Sequence, residues 1–279
     1  MTTTTDTALA AEIARLGDLL RGRRTTVLTG AGISTASGIP AYRGAGAPAR
    51  ANPMTVQRFL GDEAARRRYW VGGHLGWRAF SSAAPNAGHR ALAEMERQGT
   101  VAGIITQNVD GLHLRAGSTR VIEVHGTMRR VGCLRCGQVF DRGSVASQIE
   151  QRNPWVTRPE NIELNPDGDV SPASSDDFII PTCTVCDGML KPDVVFFGEY
   201  VPRERFRSAE SLLRSGDALI VAGSSLVVNS GVRLVERARR RGIPLAIINH
   251  EPTRADPWAD MTLAADTSMV LPALQELLA

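Results

Sequence analysis

A chain of 279 residues, 43% hydrophobic and 22% charged, has room for one large domain or two smaller ones around a sizeable core. Its formal charge of +3 is too small, and its arginines too scattered, to mark a nucleic-acid-binding protein, so Arg66–Arg68 and Arg239–Arg241 read as solvated helix faces. No apolar run reaches the length of a membrane span, and Met1–Asp6 lacks the features of a signal or transit peptide; a disordered tail over 1–7 and a cytoplasmic location are expected.

Leu9, Ile13, Leu16, Leu19 and Leu20 make a helical stripe that packs on a sheet. Thr25–Thr29 is a short β-branched run, the pattern of a buried parallel strand. It ends in Gly30-Ala31-Gly32-Ile33-Ser34, small residues that predict a tight turn with uncovered amides, suited to a diphosphate. Gly38-Ile39-Pro40 forces an irregular turn, and Arg43 adds a fixed positive charge. Ala45–Phe59 shows no period and reads as a mobile loop. Helices follow over Asp62–Phe80, anchored by Tyr69, Trp70 and Trp77, and over Pro85–Arg97, with Ala91, Leu92 and Met95 inward. Strands Val101–Thr106 and Val121–Val124 end in Gln107-Asn108-Val109-Asp110 and in His125-Gly126.

The segment Cys133–Cys186 holds every cysteine, and its polar middle, Asn153–Pro181, predicts an inserted module with little core of its own. The α/β rhythm then resumes. A helix near Glu204–Ser215 leads to strand Asp217–Ala222 and Gly223-Ser224-Ser225; a helix over Val232–Arg241 leads to strand Ile243–Ile248 and Asn249-His250-Glu251. This alternation predicts a parallel sheet with helices on both faces, and in such sheets ligands bind beyond the carboxyl ends of the strands. Four of those ends carry small or polar residues, and their convergence points to a ligand site.

Cys133-Leu-Arg-Cys136 and Cys183-Thr-Val-Cys186 supply four thiolates, the set that a closed structural zinc site uses. A redox pair or two disulfides compete with zinc, which a cytosolic chain favours. His125 stands at a strand end facing the other ligand loops, as a base or as a structural histidine; His113 is expected to bond locally. Asp110 reads either as a carboxylate for an amide or as an N-cap for Gly111–Leu114. Val194-Val195-Phe196-Phe197-Gly198-Glu199 is a strand-like run that pairs with an extended peptide or lies in the core.

These residues resemble the sirtuins, NAD-dependent protein lysine deacylases. The matches are Gly30-Ala-Gly-Ile-Ser34 with Ser37-Gly-Ile-Pro40 and Arg43, Thr106-Gln-Asn-Val-Asp110 with Leu112-His113, and Val124-His-Gly126. The two cysteine pairs, Lys191-Pro-Asp-Val-Val-Phe-Phe-Gly-Glu199, Gly223-Ser-Ser-Leu226 and Ile248-Asn249 complete the set. Pro166-Asp-Gly-Asp169 and Tyr69-Trp70 look most like the class II branch. The resemblance implies an α/β fold: a Rossmann-like parallel sheet, an inverted NAD-binding domain over 8–44, 81–131 and 190–279. A smaller zinc-ribbon and helical domain would comprise 45–80 and 132–189. NAD and an acyl-lysine peptide would enter the cleft between them, with zinc held by Cys133, Cys136, Cys183 and Cys186.

By position, Gly30, Ala31, Gly32, Ile33 and Ser34 would cradle the diphosphate, with Tyr42 and Arg43 beside it. Gln107 and Asn108 would line the nicotinamide ribose, and Asp110 would hold the nicotinamide amide. Gly223, Ser224, Ser225, Asn249, His250, Glu251 and Thr267 would surround the adenosine end. Val194, Val195, Phe196, Phe197, Gly198 and Glu199 would pair with the peptide. The family's chemistry assigns His125 the removal of a ribose hydroxyl proton after the acyl oxygen has captured the ribose, yielding free lysine, nicotinamide and O-acyl-ADP-ribose. Ala41, Tyr42, Phe196 and Asn229 depart from the usual Asp, Phe, Trp and Pro, which bears on rate and acyl preference. Gly72 stands where an acid-reading relative has the arginine of Tyr-x-x-Arg, so neutral acyl groups are the expected substrates, with Arg66 the one candidate to substitute. A sirtuin-fold mono-ADP-ribosyltransferase is the alternative within the same cleft, and a zinc-ribbon nucleic-acid-binding protein the more distant one.

Overall fold

The computed structural model describes residues 2–41, 53–156, 164–167 and 175–279. Tyr42, Arg43, Gly168, Asp169 and positions 45–52 of the expected mobile loop lie outside the described residues.

The chain runs α1 (Thr2–Leu20), β1 (Thr25–Thr29), a 3-10 turn (Ala31–Ser37), α2 (Val56–Gly61), α3 (Glu63–Ser82), α4 (Ala87–Gln98) and β2 (Val101–Thr106). Next come α5 (Leu112–Arg115), β3 (Val121–Glu123), β4 (Gly126–Cys133), β5 (Val139–Asp141), α6 (Arg142–Arg152) and β6 (Leu190–Val194). It closes with α7 (Arg203–Arg214), β7 (Ala218–Ala222), α8 (Asn229–Arg240), β8 (Leu245–Ile248), β9 (Met261–Leu263) and α9 (Thr267–Leu278).

Six strands form one parallel sheet in the order β3-β2-β1-β7-β8-β9. Because every residue of β1, β2, β7 and β8 is buried, these strands read as continuous apolar or β-branched runs. Alternate side chains feed opposite faces. Val27, Ile104, Ile220 and Ile248 pack with Leu16, Leu92, Met95 and Leu271 from α1, α4 and α9. Leu28, Ile105, Val221 and Ile247 pack with Phe206, Leu213, Leu234 and Val235 from α7 and α8. The strand order reverses between β1 and β7, which puts the ligand crevice of an open α/β sheet at their carboxyl ends.

β5, β4 and β6 form a second, antiparallel sheet around the cysteines. The expectation of a module with little core is corrected. Val131, Ile149, Phe178, Leu190, Cys133 and Cys183 share a buried cluster with Phe59, Tyr69 and Trp70 of α2 and α3. Those aromatics arrive from far upstream in the chain, so the module's own composition hides its core.

Three boundaries differ from expectation. α1 starts at Thr2, so the segment 1–7 expected as a disordered tail is helical from its second residue; a helix nucleated by its apolar stripe extends at little further cost. The end of the expected mobile loop is α2, capped by Thr55, whose hydroxyl accepts from Arg58 N. α9 carries Pro272 inside it, which conceals the helix from a reading by pattern.

Candidate active site

β1 delivers Gly30 to the crevice and β7 delivers Gly223, and the two loops lie directly against each other. Gly32 N donates to Gly223 O at 2.8 Å, Gly30 N to Ala222 O at 3.2 Å and Ile33 N to Gly30 O at 3.2 Å. The expected row of uncovered amides is therefore corrected: these three are bonded within the protein. Glycine is still required, for another reason. A Cβ on Gly32 would stand 2.8 Å from Gly223 Cα, and one on Gly30 2.8 Å from Gly223 O.

The end of β2 supplies a polar chain behind this loop. Asn108 Nδ2 donates to Gly30 O and Ser34 Oγ, each at 3.1 Å, and Ser34 Oγ donates to Asp110 Oδ2 at 2.7 Å. Asp110 Oδ1 accepts from Leu112 N at 2.8 Å, so this carboxylate does serve the start of α5. Burial raises its pKa, and the bonds from Leu112 and Ser34 oppose that rise. Gln107 Oε1 accepts from Ser224 Oγ at 2.6 Å, tying the end of β2 to the end of β7.

His125 is the link between the two sheets. Val124 N still bonds to Thr106 O beside the parallel sheet, and β4 begins at Gly126. Gly126 adopts φ +82°, and any Cβ there would overlap Asp193 O of β6, so only glycine lets the chain pass. The ring lies between Gln107 O, 3.0 Å from Nδ1, and Ser230 Oγ, 2.8 Å from Nε2. A carbonyl only accepts, so Nδ1 carries the proton and Nε2 keeps its lone pair. Burial lowers the imidazole pKa, with the Gln107 bond pulling slightly the other way. The ring is thus neutral near pH 7, the state a general base needs.

Farther along the sheet edge, Asn249 N donates to Leu263 O and its side chain to Glu251 O at 2.6 Å, while the His250 and Glu251 side chains are exposed. Thr267 opens α9 with a buried hydroxyl that has no hydrogen-bond partner among the described residues, and Ser225 is half-buried. An orphaned donor at this edge fits a polar ligand.

The expected strand Val194–Glu199 is corrected: β6 stops at Val194. Val195 N bonds to His125 O at 2.8 Å, and the chain then folds back, with Glu199 N bonded to Phe196 O and Gly198 at φ +78°. Lys191 holds this turn. Its ammonium donates to Val194 O at 2.6 Å, pairs with Glu199 at 3.0 Å and lies 4.5 Å above the Phe196 ring. Phe196 packs on Phe59 and Tyr69, whereas Phe197 is 42% exposed and bridges to Thr55.

The four cysteine Sγ atoms lie within 4.8 Å of one another, as free thiols. Cys133 and Cys186 are 3.5 Å apart, Cys136 and Cys183 3.7 Å. A zinc ion about 2.3 Å from four sulfurs at tetrahedral angles sets them about 3.8 Å apart, so the residues fit the metal. The knuckles match in backbone too. Gly137 N bonds to Cys133 O and Asp187 N to Cys183 O, both from left-handed residues.

Several residues of the site escape a sequence reading. Ser230 lies 105 positions from His125, and no local pattern joins them. Asn86, the N-cap of α4, donates to Ile33 O at 2.7 Å and so holds the glycine turn from behind; its position before a helix is the only signal. His113 bonds to Thr29 Oγ1 at 2.9 Å, which corrects the expected local bond, and its ring lies 4.8 Å from that of His89. Arg142 is buried over Trp70 and Trp77 and donates to Gly73 O; burial lowers its pKa to about 10.

Fold and site together define a class: an α/β protein of dinucleotide-binding topology whose cleft residue His125 adjoins a four-cysteine metal module. The chain belongs to the Sir2 family, whose model matches residues 30–230. It is 48% identical over 270 residues to NAD-dependent protein deacetylase 1 of Mycobacterium avium (strain 104), covering 95% of each chain. To NAD-dependent protein deacetylase 1 of Streptomyces coelicolor it is 46% identical over 251 residues, 89% of this chain and 84% of the relative. A solved structure of Sir2 with p53 peptide and NAD+ matches with a TM-score of 0.73 and 31% identity, over 93% of this chain and 95% of that one.

Proposed function

We propose that this chain is an NAD-dependent protein lysine deacylase that releases nicotinamide and O-acyl-ADP-ribose. The observation that carries the reading is the tautomer of His125: Nδ1 donates to Gln107 O, and Nε2 is left as a neutral acceptor. The relatives named as NAD-dependent protein deacetylases, and the relative solved with p53 peptide and NAD+, support the same reading.

NAD supplies an activated glycosidic bond and the acceptor for the acyl group. The chain's residues orient and exclude. Gly30–Ser34 and Gly223–Ser225 form the close-packed floor for the diphosphate and ribose, Gln107 and Asn108 its wall, and Asp110 the acceptor for an amide. Asn249–Glu251 and the orphaned Thr267 hydroxyl serve the adenosine end. Tyr42 and Arg43 are assigned to the same cofactor by position alone. Val194–Glu199, the turn that follows β6 and is tied by Val195 N to the backbone of His125, is assigned to the acyl-lysine peptide. Cys133, Cys136, Cys183 and Cys186 hold a closed zinc site with no position left for chemistry.

The chain is divided into an NAD-binding part (8–44, 81–131, 190–279), which contains all six strands of the parallel sheet, and a small part (45–80, 132–189), which contains α2, β5 and α6; β4 and β6 carry the second sheet across that boundary, close to His125. The gathering of all four cysteines into one metal-binding cluster supports a reducing compartment such as the cytoplasm; no helix among the described residues is long and apolar enough to cross a membrane.

The test is to incubate the protein with NAD and acyl-lysine peptides and identify products by mass. His125→Ala is expected to lower deacylation by about 10²–10⁴-fold, the usual contribution of a general base, while nicotinamide exchange persists. ADP-ribose transfer to protein without release of free lysine would overturn the reading in favour of a transferase.

A further inference from the structure

We propose that Ser230 is a further positioning residue of this site: its hydroxyl sets the His125 ring with Nε2 as acceptor and occupies that nitrogen until a substrate hydroxyl replaces it. The inference rests on His125 as the base.

Ser230 is the second residue of α8 and is buried, with Oγ 2.8 Å from His125 Nε2. Since Gln107 O fixes the proton on Nδ1, Nε2 has only a lone pair to offer, and the serine must be the donor. Two bonds on opposite sides of an imidazole fix both its tautomer and its plane. The serine is itself placed by the residue that places the ring. Gly231 seats the first turn of α8 against the Gln107 side chain: a Cβ there would be 2.9 Å from Gln107 Nε2, so a larger residue would have to displace that amide. Ser224 Oγ pins the same Gln107 side chain through Oε1. One glutamine therefore accepts the hydrogen bond from the ring's Nδ1–H through its backbone carbonyl, and its side chain lies against the helix that meets Nε2.

A hydroxyl suits this task better than a carboxylate. An acid beside Nε2 would stabilise imidazolium and bring the base into the cleft already protonated. A serine donates to the neutral ring without adding charge. Among the described residues the ring is governed by burial and the Gln107 bond; of the carboxylates in the flanking segments, Glu123 feels chiefly the charge of Arg130 and then that of Asp110, and Asp110 feels that of Arg115. The serine also stands where an incoming hydroxyl must stand to give up its proton, and so marks that position. Exchange of one O–H donor for another at Nε2 costs the enzyme no unmet hydrogen bond.

Ser230→Ala tests this. Losing one hydrogen bond to the ring should slow single-turnover deacylation by about three- to tenfold. Nicotinamide exchange, which needs no base, should fall by less. In the ligand-free protein, nitrogen-edited NMR of the imidazole should show the His125 titration moved to higher pH by about half a unit, because the neutral form has lost a donor. Ser230→Thr, which keeps the hydroxyl, should restore both the rate and the titration. An unmoved titration in Ser230→Ala overturns the proposal. So does a parallel loss of exchange and deacylation, which would make the serine merely structural. His125→Ala measured alongside separates the two readings: if it still deacylates, the base assignment has failed, and if it does not while Ser230→Ala is normal, only the serine proposal has.

Discussion

The ligand edge of the parallel sheet and the cysteine module hold their polar groups in place by different means. At the sheet edge, β1, β2 and β7 are buried throughout, and their ends lock together through Gly32–Gly223, Asn108–Ser34 and Gln107–Ser224. There the core positions the site, and the backbones are so close that a methyl group does not fit between them. The module's outer strand β5 is short and partly exposed, with Val139 at 55%, and the middle strand β4 leaves Arg129 and Arg130 exposed. Its order comes from an aromatic core shared with α2 and α3 and from four thiols that need an ion between them. A region positioned by packing should fail through added volume, and one positioned by metal through a lost ligand.

The largest effect expected is on the metal side. Cys183 is fully buried and contributes both a ligand and core volume. A structural zinc site supplies on the order of 10 kcal/mol where nothing else folds the chain; with Phe59, Trp70 and Phe178 already packed there, the loss in Cys183→Ser is smaller, though still several kcal/mol. Metal analysis should find the zinc gone, and trypsin should cut within 132–189 before it cuts the parallel sheet. A zinc-free variant with unchanged thermal unfolding would remove the metal from the comparison.

Much of the sheet side was legible in the sequence, because a strand buried on both faces is an uninterrupted apolar run and its polar end stands out. The cysteine pairs were legible because ligand spacing is local. The rest depends on partners far apart in the chain. β4 shows no alternation, since Arg129 and Arg130 are both exposed within it, and its opening glycine answers to Asp193 O. The module's core needed Phe59 and Trp70, and the ring of His125 needed Ser230. Gly30 and Gly32 were found for the wrong reason: they accommodate Gly223, and three of the amides expected to be open are in use.

Acid should act on the sheet side through buried histidines, two of which lie together beside His125's sheet. His89 and His113 lie side by side, tilted, in the core behind the glycine turn; burial, with Arg90 adding to it, lowers His89 to about 4, and burial, with His89 adding to it, holds His113 well below its ordinary value. Both must be neutral to fold. The unfolded chain takes up their protons below about pH 6.5, so stability is full above that and falls as pH drops from 6.5 towards 4, by up to about 1.4 kcal/mol per pH unit for each. Denaturant unfolding at stepped pH should show this slope. His89→Asn with His113→Gln, which keep a polar atom near Nδ1 and Nε2, should flatten it; an unchanged slope would assign acid sensitivity elsewhere.

Two glycine substitutions probe packing directly. Gly32→Ala puts a methyl against Gly223 Cα, O and C at 2.8, 2.9 and 3.1 Å, all backbone, and should cost about 1–3 kcal/mol and weaken NAD binding. Gly132→Ala in β4 meets nothing within 4 Å and should stay within about 0.5 kcal/mol. Equal costs, read by thermal unfolding, would mean that the two regions do not differ in tightness.

An effect on selectivity and not on stability concerns the acyl group, where the two regions meet. Arg66 was the one candidate to read an acidic acyl chain in place of the missing arginine at Gly72. Its guanidinium instead donates to Phe59 O at 2.8 Å and Leu60 O at 3.4 Å, closing the carboxyl end of α2, so it is committed to holding that helix. Tyr69, its neighbour one turn on, is packed among Phe59, Trp70 and Phe196. A carboxylate buried without its charge-assisted partner forgoes about 1.5–3 kcal/mol, roughly ten- to a hundredfold in rate or affinity. Neutral acyl-lysines should therefore exceed succinyl-lysine in kcat/KM on one peptide by about that ratio. Arg66→Ala should leave the ratio unchanged while loosening α2, seen as a small fall in kcat/KM for every acyl group alike. If the succinyl peptide is fastest and Arg66→Ala removes that preference, then the side chain leaves Phe59 O to reach the substrate, and the packed aromatic wall is less fixed than the comparison holds.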